Sequence, residues 1–194
     1  MTRALKSDRK GPAKAKRVIV FLHGYGADGA DLLGLADVLG QYLPDTAFYA
    51  PDAPEPSSGN PFGRQWFPIP WMDGSSEEQA RSSMAQSAQD LNAFLDKVIA
   101  DEGITPDQLA VVGFSQGTMM ALHVLPRRDK AVAGIVGISG RLLVPELLAA
   151  EARVKPPVLL IHGDEDPVVP FADLGLAADA LAAAGFEVFT YVMK

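Results

Sequence analysis

Short apolar runs rich in β-branched residues alternate along this chain with longer amphipathic stretches. Six of these runs are typical of strands, at residues 18–22, 46–50, 109–112, 132–138, 158–161 and 187–192. They are almost continuous in apolar residues, as is usual for parallel strands covered on both faces. Strands that alternate with helices are joined by right-handed crossovers. The pattern therefore predicts a mostly parallel, doubly wound α/β sheet with helices on both faces.

Five stretches have helical periodicity, at residues 29–39, 77–100, 116–125, 146–152 and 173–184. The longest has apolar residues at steps of four and three along one face: Met84, Ala88, Leu91, Leu95 and Val98. Ser75 and Ser76 stand three residues before Glu78 and Gln79, so either serine can form a capping box at its start. Gly103 is the expected stop signal.

A long segment at residues 51–74 fits neither pattern. It is rich in proline and contains Trp66, Phe67 and Trp71. A loop of this length is uncommon in a compact domain unless it has a function. We expect it to form part of the wall of a pocket.

Charge is distributed unevenly along the 194 residues. The net charge is −7, yet residues 1–17 carry +6, so the remainder carries −13. Such an acidic body disfavours nucleic-acid binding. We predict that residues 1–16 form a basic, partly flexible N-terminal segment, and contact with an anionic partner is the alternative. Residues 17–194 are predicted to form a single domain.

Cysteine is absent, which excludes disulfides and a thiol nucleophile and suits a reducing compartment. No apolar run is long enough for a signal peptide at the start or for a membrane span. We therefore expect a cytoplasmic protein without a transmembrane segment. The three histidines are scattered and show no metal-ligand spacing, so neither a metal nor a cofactor is predicted.

The strongest chemical motif is Gly113-Phe114-Ser115-Gln116-Gly117, which matches the G-x-S-x-G nucleophile elbow. It follows a predicted strand and opens a predicted helix, which is the setting that the motif requires. The glycines permit a tight turn that exposes the hydroxyl of Ser115 at the edge of the sheet. The alternative is an ordinary glycine–serine turn between a strand and a helix.

A second motif, His23-Gly24-Tyr25-Gly26, ends the first apolar strand. From the places of these two motifs in the chain, we expect the backbone N–H groups of Tyr25 and Gln116 to form an oxyanion hole. We expect His23 to be a hydrogen-bonded structural residue rather than a catalytic base.

A third motif follows a late strand. An acid at this place matches the chain order of hydrolases with a nucleophile elbow, in which the nucleophile comes first, then the acid, then the histidine. Two aspartates, Asp164 and Asp166, lie on this loop. Pro167 holds Asp166 in an extended conformation at the mouth of the loop, whereas Asp164 is better explained as a solvated carboxylate or helix cap. We expect His162, at the strand end, to be packed and hydrogen-bonded.

Together these motifs resemble the phospholipase/carboxylesterase family of small α/β-hydrolases, which includes acyl-protein thioesterases. The matching segments are Phe21–Gly26, Pro51–Pro54, Trp66-Phe67, Gly113–Gly117, Ile138-Ser139 and His162–Pro170. The resemblance implies the α/β-hydrolase fold, with Ser115 as nucleophile, Asp166 as acid, and the amides of Tyr25 and Gln116 as oxyanion hole. It also implies an acyl pocket, although each of its residues is equally well explained by core packing: Trp66, Phe67, Ile69 and Val168.

The family's catalytic histidine follows the last strand, a few residues past a tyrosine like Tyr191. His23, His123 and His162 all precede Asp166, so none matches it. One interpretation is that the functional protein continues past Lys194 with this histidine and a C-terminal helix. The other is a natural pseudoenzyme that binds without turnover. We favour continuation, because an uncovered last strand would expose a large apolar patch.

The predicted function is cleavage of small carboxylic esters or thioesters through an acyl-Ser115 intermediate. A small serine peptidase or lipase on the same fold is the alternative among enzymes, and a non-catalytic binding protein is the alternative outside them. No inserted lid domain is visible, which argues against a lipase. A homodimer is a further possibility.

Overall fold

The structure, a computed structural model, describes all residues from Met1 to Lys194. Nine strands are present: β1 (Ser7–Lys10), β2 (Arg17–Leu22), β3 (Thr46–Pro51), β4 (Glu55–Pro56), β5 (Arg64–Gln65), β6 (Leu109–Phe114), β7 (Gly134–Ile138), β8 (Val158–Gly163) and β9 (Val188–Met193). The six predicted strands correspond to β2, β3 and β6–β9 and agree within two residues at each end. The short strands β1, β4 and β5 were not predicted.

Seven helices connect these strands: α1 (Gly29–Leu33), α2 (Leu35–Leu39), α3 (Pro70–Asp73), α4 (Glu77–Glu102), α5 (Gln116–Val124), α6 (Pro145–Glu151) and α7 (Ala172–Ala183). The predicted helix at 29–39 is divided in two at Gly34. A reciprocal capping box between Ser76 and Gln79 starts α4, which selects Ser76 of the two possible caps. The helix ends where Gly103 adopts a left-handed conformation, with φ of 65°.

Seven strands form one sheet in the order β1-β3-β2-β6-β7-β8-β9. All neighbouring pairs are parallel except β1 and β3, which are antiparallel. The carboxyl ends of β2, β6 and β8 therefore lie at the same edge of the sheet. This edge brings together the three motifs that follow those strands, and the predicted α/β-hydrolase architecture is confirmed.

Both faces of the sheet carry helices. On β2, Val18, Val20 and Leu22 belong to the larger core cluster, which includes side chains of α4, α5, α6 and α7. Phe21 points to the other face and packs with residues of α1 and α2 in a smaller cluster. The alternation follows from the two-residue period of a strand.

The basic N-terminal segment, which was predicted to be partly flexible, packs against the domain. Residues Ser7–Lys10 pair with β3 and form an edge of the main sheet. Arg3 forms an ion pair with the fully buried carboxylate of Asp90 on α4, at 2.7 Å. Arg9 bonds Glu102, the last residue of α4, at 2.6 Å. These partners, which are distant in sequence, order the segment against the domain.

One part of the sheet surface has less cover, and we call it the β6–β9 face. Val112, Val136, Leu159 and Phe189 are register partners across four strands, so they lie in one row on the same side. The first three are half-buried, and Phe189 is 55% exposed. Tyr191, in the next row, is 60% exposed. This apolar row continues the side of the sheet that α1 and α2 cover near β2 and β3.

No helix of the structure is both long enough and apolar enough to cross a membrane.

Candidate active site

Ser115 occupies the turn between β6 and α5, where it adopts φ of 52° and ψ of −114°. A non-glycine residue at positive φ is strained, and such residues occur preferentially at functional sites. The backbone N–H of Ser115 donates to the carbonyl of Ile138 at 2.8 Å, which ties the turn to β7. The half-buried side chain of Ser115 faces a cavity at the carboxyl edge of the sheet.

The two glycines of the motif allow this turn to pack closely. A Cβ atom on Gly117 would lie 1.9 Å from the carbonyl oxygen of Leu22, and one on Gly113 would lie 2.5 Å from the backbone nitrogen of Thr118. Both are backbone clashes that side-chain movement cannot relieve. The strand–turn–helix context and these close approaches are those expected of a nucleophile elbow.

The loop after β2 lies beside this elbow. A Cβ atom on Gly24 would lie 3.3 Å from the Cβ atom of Ser115. Tyr25 lines the cavity, and its backbone N–H donates no hydrogen bond within the protein. Gln116 is the first residue of α5, and the first N–H groups of a helix have no partner within the helix. Two backbone donors thus lie on the segments that flank Ser115, one on the loop after β2 and one at the start of α5.

Asp166, on the loop after β8, also lines the cavity. Its Oδ1 accepts hydrogen bonds from the backbone N–H groups of Val168 and Val169, both at 2.9 Å. Partial burial favours the neutral acid, but the hydrogen bonds from Val169 and Val168 outweigh it and hold the pKa of Asp166 below its usual range. The carboxylate is therefore ionised at neutral pH, and its two backbone hydrogen bonds orient it.

The three histidines make hydrogen bonds or packing contacts away from Ser115, whose hydroxyl bonds none of them. His23 is fully buried, and its Nε2 accepts from the backbone N–H of Ala53 at 2.9 Å. Burial lowers the pKa of His23, which favours the neutral ring. His162 is buried and donates from Nε2 to the carbonyl of Val169 at 3.0 Å, with Asp166 Oδ2 3.6 Å away. His123 lies on α5, where burial lowers its pKa.

The cavity has a volume of about 630 Å³. It brings together four of the residues predicted from the sequence: Tyr25, Ser115, Asp166 and Val168. Val168 is 69% exposed at its rim. The side chain of Gln116 is buried and does not line the cavity, as its predicted contribution is the backbone N–H.

Trp66, Phe67 and Ile69 do not line this cavity, in contrast to the predicted acyl pocket. Trp66 is completely buried, and its indole N–H is satisfied because it donates to the carbonyl of His23 at 3.0 Å. Phe67 is 9% exposed and belongs to the main core, and half-buried Ile69 precedes α3. Core packing, the alternative explanation for these apolar residues, accounts for Trp66 and Phe67.

Phe114 and Ser139 also line the cavity, and neither was assigned a role from the sequence. Phe114, the variable residue before the nucleophile, is 44% exposed beside the cavity. Ser139 follows β7 with φ of 47° and is 8% exposed. Its position directly after a parallel strand was the available signal, because residues at such ends converge on one edge of the sheet.

Comparison with known proteins agrees with this geometry. The sequence profile of the phospholipase/carboxylesterase family matches residues 9–193. Acyl-protein thioesterase 1 of Saccharomyces cerevisiae is 33% identical over 190 residues, which cover 93% of this chain and 83% of that protein. Esterase YpfH of Escherichia coli is 26% identical, over 90% of this chain and 72% of the relative. The crystal structure of esterase PE8 superimposes with a TM-score of 0.91 at 39% identity, covering 98% of this chain and 89% of that one.

The fold and the serine-bearing elbow define the class of the protein as a hydrolase with the α/β-hydrolase fold. More narrowly, the chain belongs to the phospholipase/carboxylesterase family, as the match over residues 9–193 shows.

Proposed function

We propose that this protein cleaves carboxylic esters or thioesters of small molecules through an acyl intermediate on Ser115. The observation that carries the proposal is the strained position of Ser115 between β6 and α5, at a cavity shared with Asp166 and Tyr25. The proposal that both esters and thioesters are cleaved is supported by relatives named acyl-protein thioesterase and esterase. The mechanism requires no cofactor.

In this mechanism the Ser115 hydroxyl attacks the carbonyl carbon of the substrate as a histidine takes its proton. The backbone N–H groups of Tyr25 and Gln116 stabilise the oxyanion of the tetrahedral intermediate. The histidine then protonates the leaving alcohol or thiol, and the acyl group remains on Ser115. Water, deprotonated by the same histidine, attacks the ester and releases the carboxylic acid.

The proposal places this histidine after Lys194. The three histidines of residues 1–194 support it, because none bonds the Ser115 hydroxyl and each has other contacts or a position on α5. The partly uncovered β6–β9 face also supports it, since a helix packed there would bury Phe189 and Tyr191. Asp166 would hold the imidazole in the productive tautomer. Residues 1–194 alone are then expected to have almost no turnover, because a serine hydroxyl needs an adjacent base.

A fluorophosphonate probe tests the proposal on the full-length protein. We expect covalent addition to the Ser115 oxygen, located by mass spectrometry of the digested protein, and no addition to the exposed Ser82. Hydrolysis of short aryl esters should accompany labelling. A full-length protein that carries the histidine but neither labels nor hydrolyses esters would favour the non-catalytic binding protein instead.

We also propose that the protein is cytoplasmic and that its partner is a small-molecule substrate. The lack of cysteine supports a cytoplasmic location, and the acidic body supports a small-molecule substrate rather than nucleic acid. A homodimer is a prediction that the sedimentation velocity of the purified protein would test.

A further inference from the structure

We propose that the buried side chains of His23, Trp66 and Gln116 are positioning residues that orient the two oxyanion-hole amides. We call these three side chains the buried network. The inference deepens the proposed function and rests on it, because the amides of Tyr25 and Gln116 are assigned there as the oxyanion donors. It assigns a catalytic consequence to three side chains that do not face the cavity.

The first connection runs from α5 to the loop after β5. Gln116 is 1% exposed, and both ends of its side-chain amide are used. Its Oε1 accepts from the backbone N–H of Trp66 at 2.8 Å, and its Nε2 donates to the carbonyl of Phe67 at 2.8 Å. The residue that supplies one oxyanion amide from its backbone thus binds the aromatic loop with its side chain.

The second connection runs from that loop to the end of β2. The indole N–H of Trp66 donates to the carbonyl of His23 at 3.0 Å. The rings of Trp66 and His23 also pack, with centroids 5.7 Å apart. The carbonyl of Trp66 accepts from the hydroxyl of Ser87 at 2.5 Å, which anchors the arrangement to α4.

The third connection acts on an oxyanion donor directly. His23 Nε2 accepts from the N–H of Ala53 and therefore carries no proton, so the ring proton of the neutral form is on Nδ1. Nδ1 lies 2.7 Å from the carbonyl oxygen of Gly24 and donates to it. That carbonyl and the N–H of Tyr25 belong to the same planar peptide unit. The His23 ring therefore helps to set the direction in which the Tyr25 N–H points, together with the backbone N–H of Ala27, which donates to the same carbonyl at 3.3 Å.

The geometry explains why these residues matter for turnover. An oxyanion hole accelerates the reaction when its donors are oriented before the charge develops. The loop that carries Tyr25 has no regular secondary structure to orient it, and Gly24 and Gly26 give its backbone freedom. Loss of a network hydrogen bond should weaken binding of the transition state more than binding of the substrate.

Trp66→Phe is the first test, because phenylalanine keeps an aromatic ring and loses the indole N–H, together with part of the buried ring volume. We expect kcat for a short aryl ester to fall about tenfold with KM almost unchanged. Trp71→Phe is the matched control, since Trp71 is 77% exposed and makes no side-chain hydrogen bond. Circular dichroism and thermal melting verify that both variants are folded. A folded Trp66→Phe protein with the parental kcat would overturn the inference.

A pair of substitutions at His23 separates positioning from packing. His23→Asn keeps an N–H near the position of Nδ1, whereas His23→Leu removes the donor and fills the space. We expect His23→Asn to retain a kcat about tenfold above that of His23→Leu, at similar KM. Equal kcat values in two folded variants would show that the ring N–H does not orient the Tyr25 amide.

The outcomes also distinguish this inference from the proposed function. A full-length parent protein whose ester hydrolysis does not depend on Ser115 would overturn both. A Ser115-dependent parent, together with variants that lose only thermal stability, would overturn the positioning role alone.

Discussion

At the residue scale, the loop after β8 gives two neighbouring carboxylates different environments. The side chain of Asp164 is exposed and makes no hydrogen bond. Asp166 accepts two backbone hydrogen bonds through Oδ1, and its Oδ2 lies 3.6 Å from His162 Nε2. A catalytic acid must hold an imidazole in a fixed direction, and only an oriented carboxylate can do so. The structure therefore supports the choice of Asp166.

We predict that Asp166→Asn lowers the kcat of the full-length enzyme by about 10⁴-fold, the effect of removing the orienting carboxylate of a triad. Asp164→Asn is the matched control and should change kcat little. Steady-state hydrolysis of a short aryl ester measures both. A larger loss with Asp164→Asn would identify Asp164 as the acid.

The positions of candidate site residues were predictable where the sequence motif and the backbone geometry depend on each other. Ser115 and Asp166 each follow a strand, so their convergence on one edge could be predicted from the strand order. The environment of Trp66 could not be predicted from the sequence, because a buried indole and a pocket-lining indole have the same local sequence. Its burial depends on a carbonyl 43 positions earlier in the chain, that of His23.

At the element scale, the N-terminal strand shows how contacts between distant residues overrule local pattern. The sequence of β1, Ser-Asp-Arg-Lys, has no apolar residue and no strand propensity to reveal it. Its order comes from backbone pairing with β3 and from ion pairs to α4. Arg9 also lies over the ring of Tyr49, whose pKa is raised to about 12 by burial and by its hydrogen bond to Glu102. Such partners cannot be identified from a charge run alone.

We predict that Arg3→Ala lowers the free energy of unfolding by about 1.5–3 kcal/mol, the usual contribution of a hydrogen bond to a charged group. The reason is that Asp90 has a fully buried carboxylate that bonds both the backbone N–H and the guanidinium of Arg3. Urea denaturation measures the effect.

Arg81→Ala provides the control for Arg3→Ala, since Arg81 is exposed on α4 and has no ion-pair partner. It should leave the urea midpoint almost unchanged. If Arg3→Ala behaves like Arg81→Ala, the N-terminal segment does not stabilise the domain through Asp90.

At the scale of the whole molecule, most of the fold followed from the pattern of apolar runs. Parallel strands buried on both faces leave a continuous apolar signature, which polar edge strands such as β1 lack. The chain order of the motifs then located the edge of the sheet that carries the candidate active site. The partly uncovered β6–β9 face lies around β9, close to the cavity. Ser115, whose hydroxyl bonds no histidine, lines that cavity.

The central claim is that Ser115 is the nucleophile. It is tested most directly by the kcat of the full-length Ser115→Ala protein for a short aryl ester, with Ser82→Ala, an exposed serine on α4, as the control. The account predicts that kcat falls by about 10⁴-fold or more in Ser115→Ala, because only binding and the oxyanion hole would remain. Ser82→Ala should retain the parental kcat. Near-parental turnover by a purified, folded Ser115→Ala protein would contradict the account.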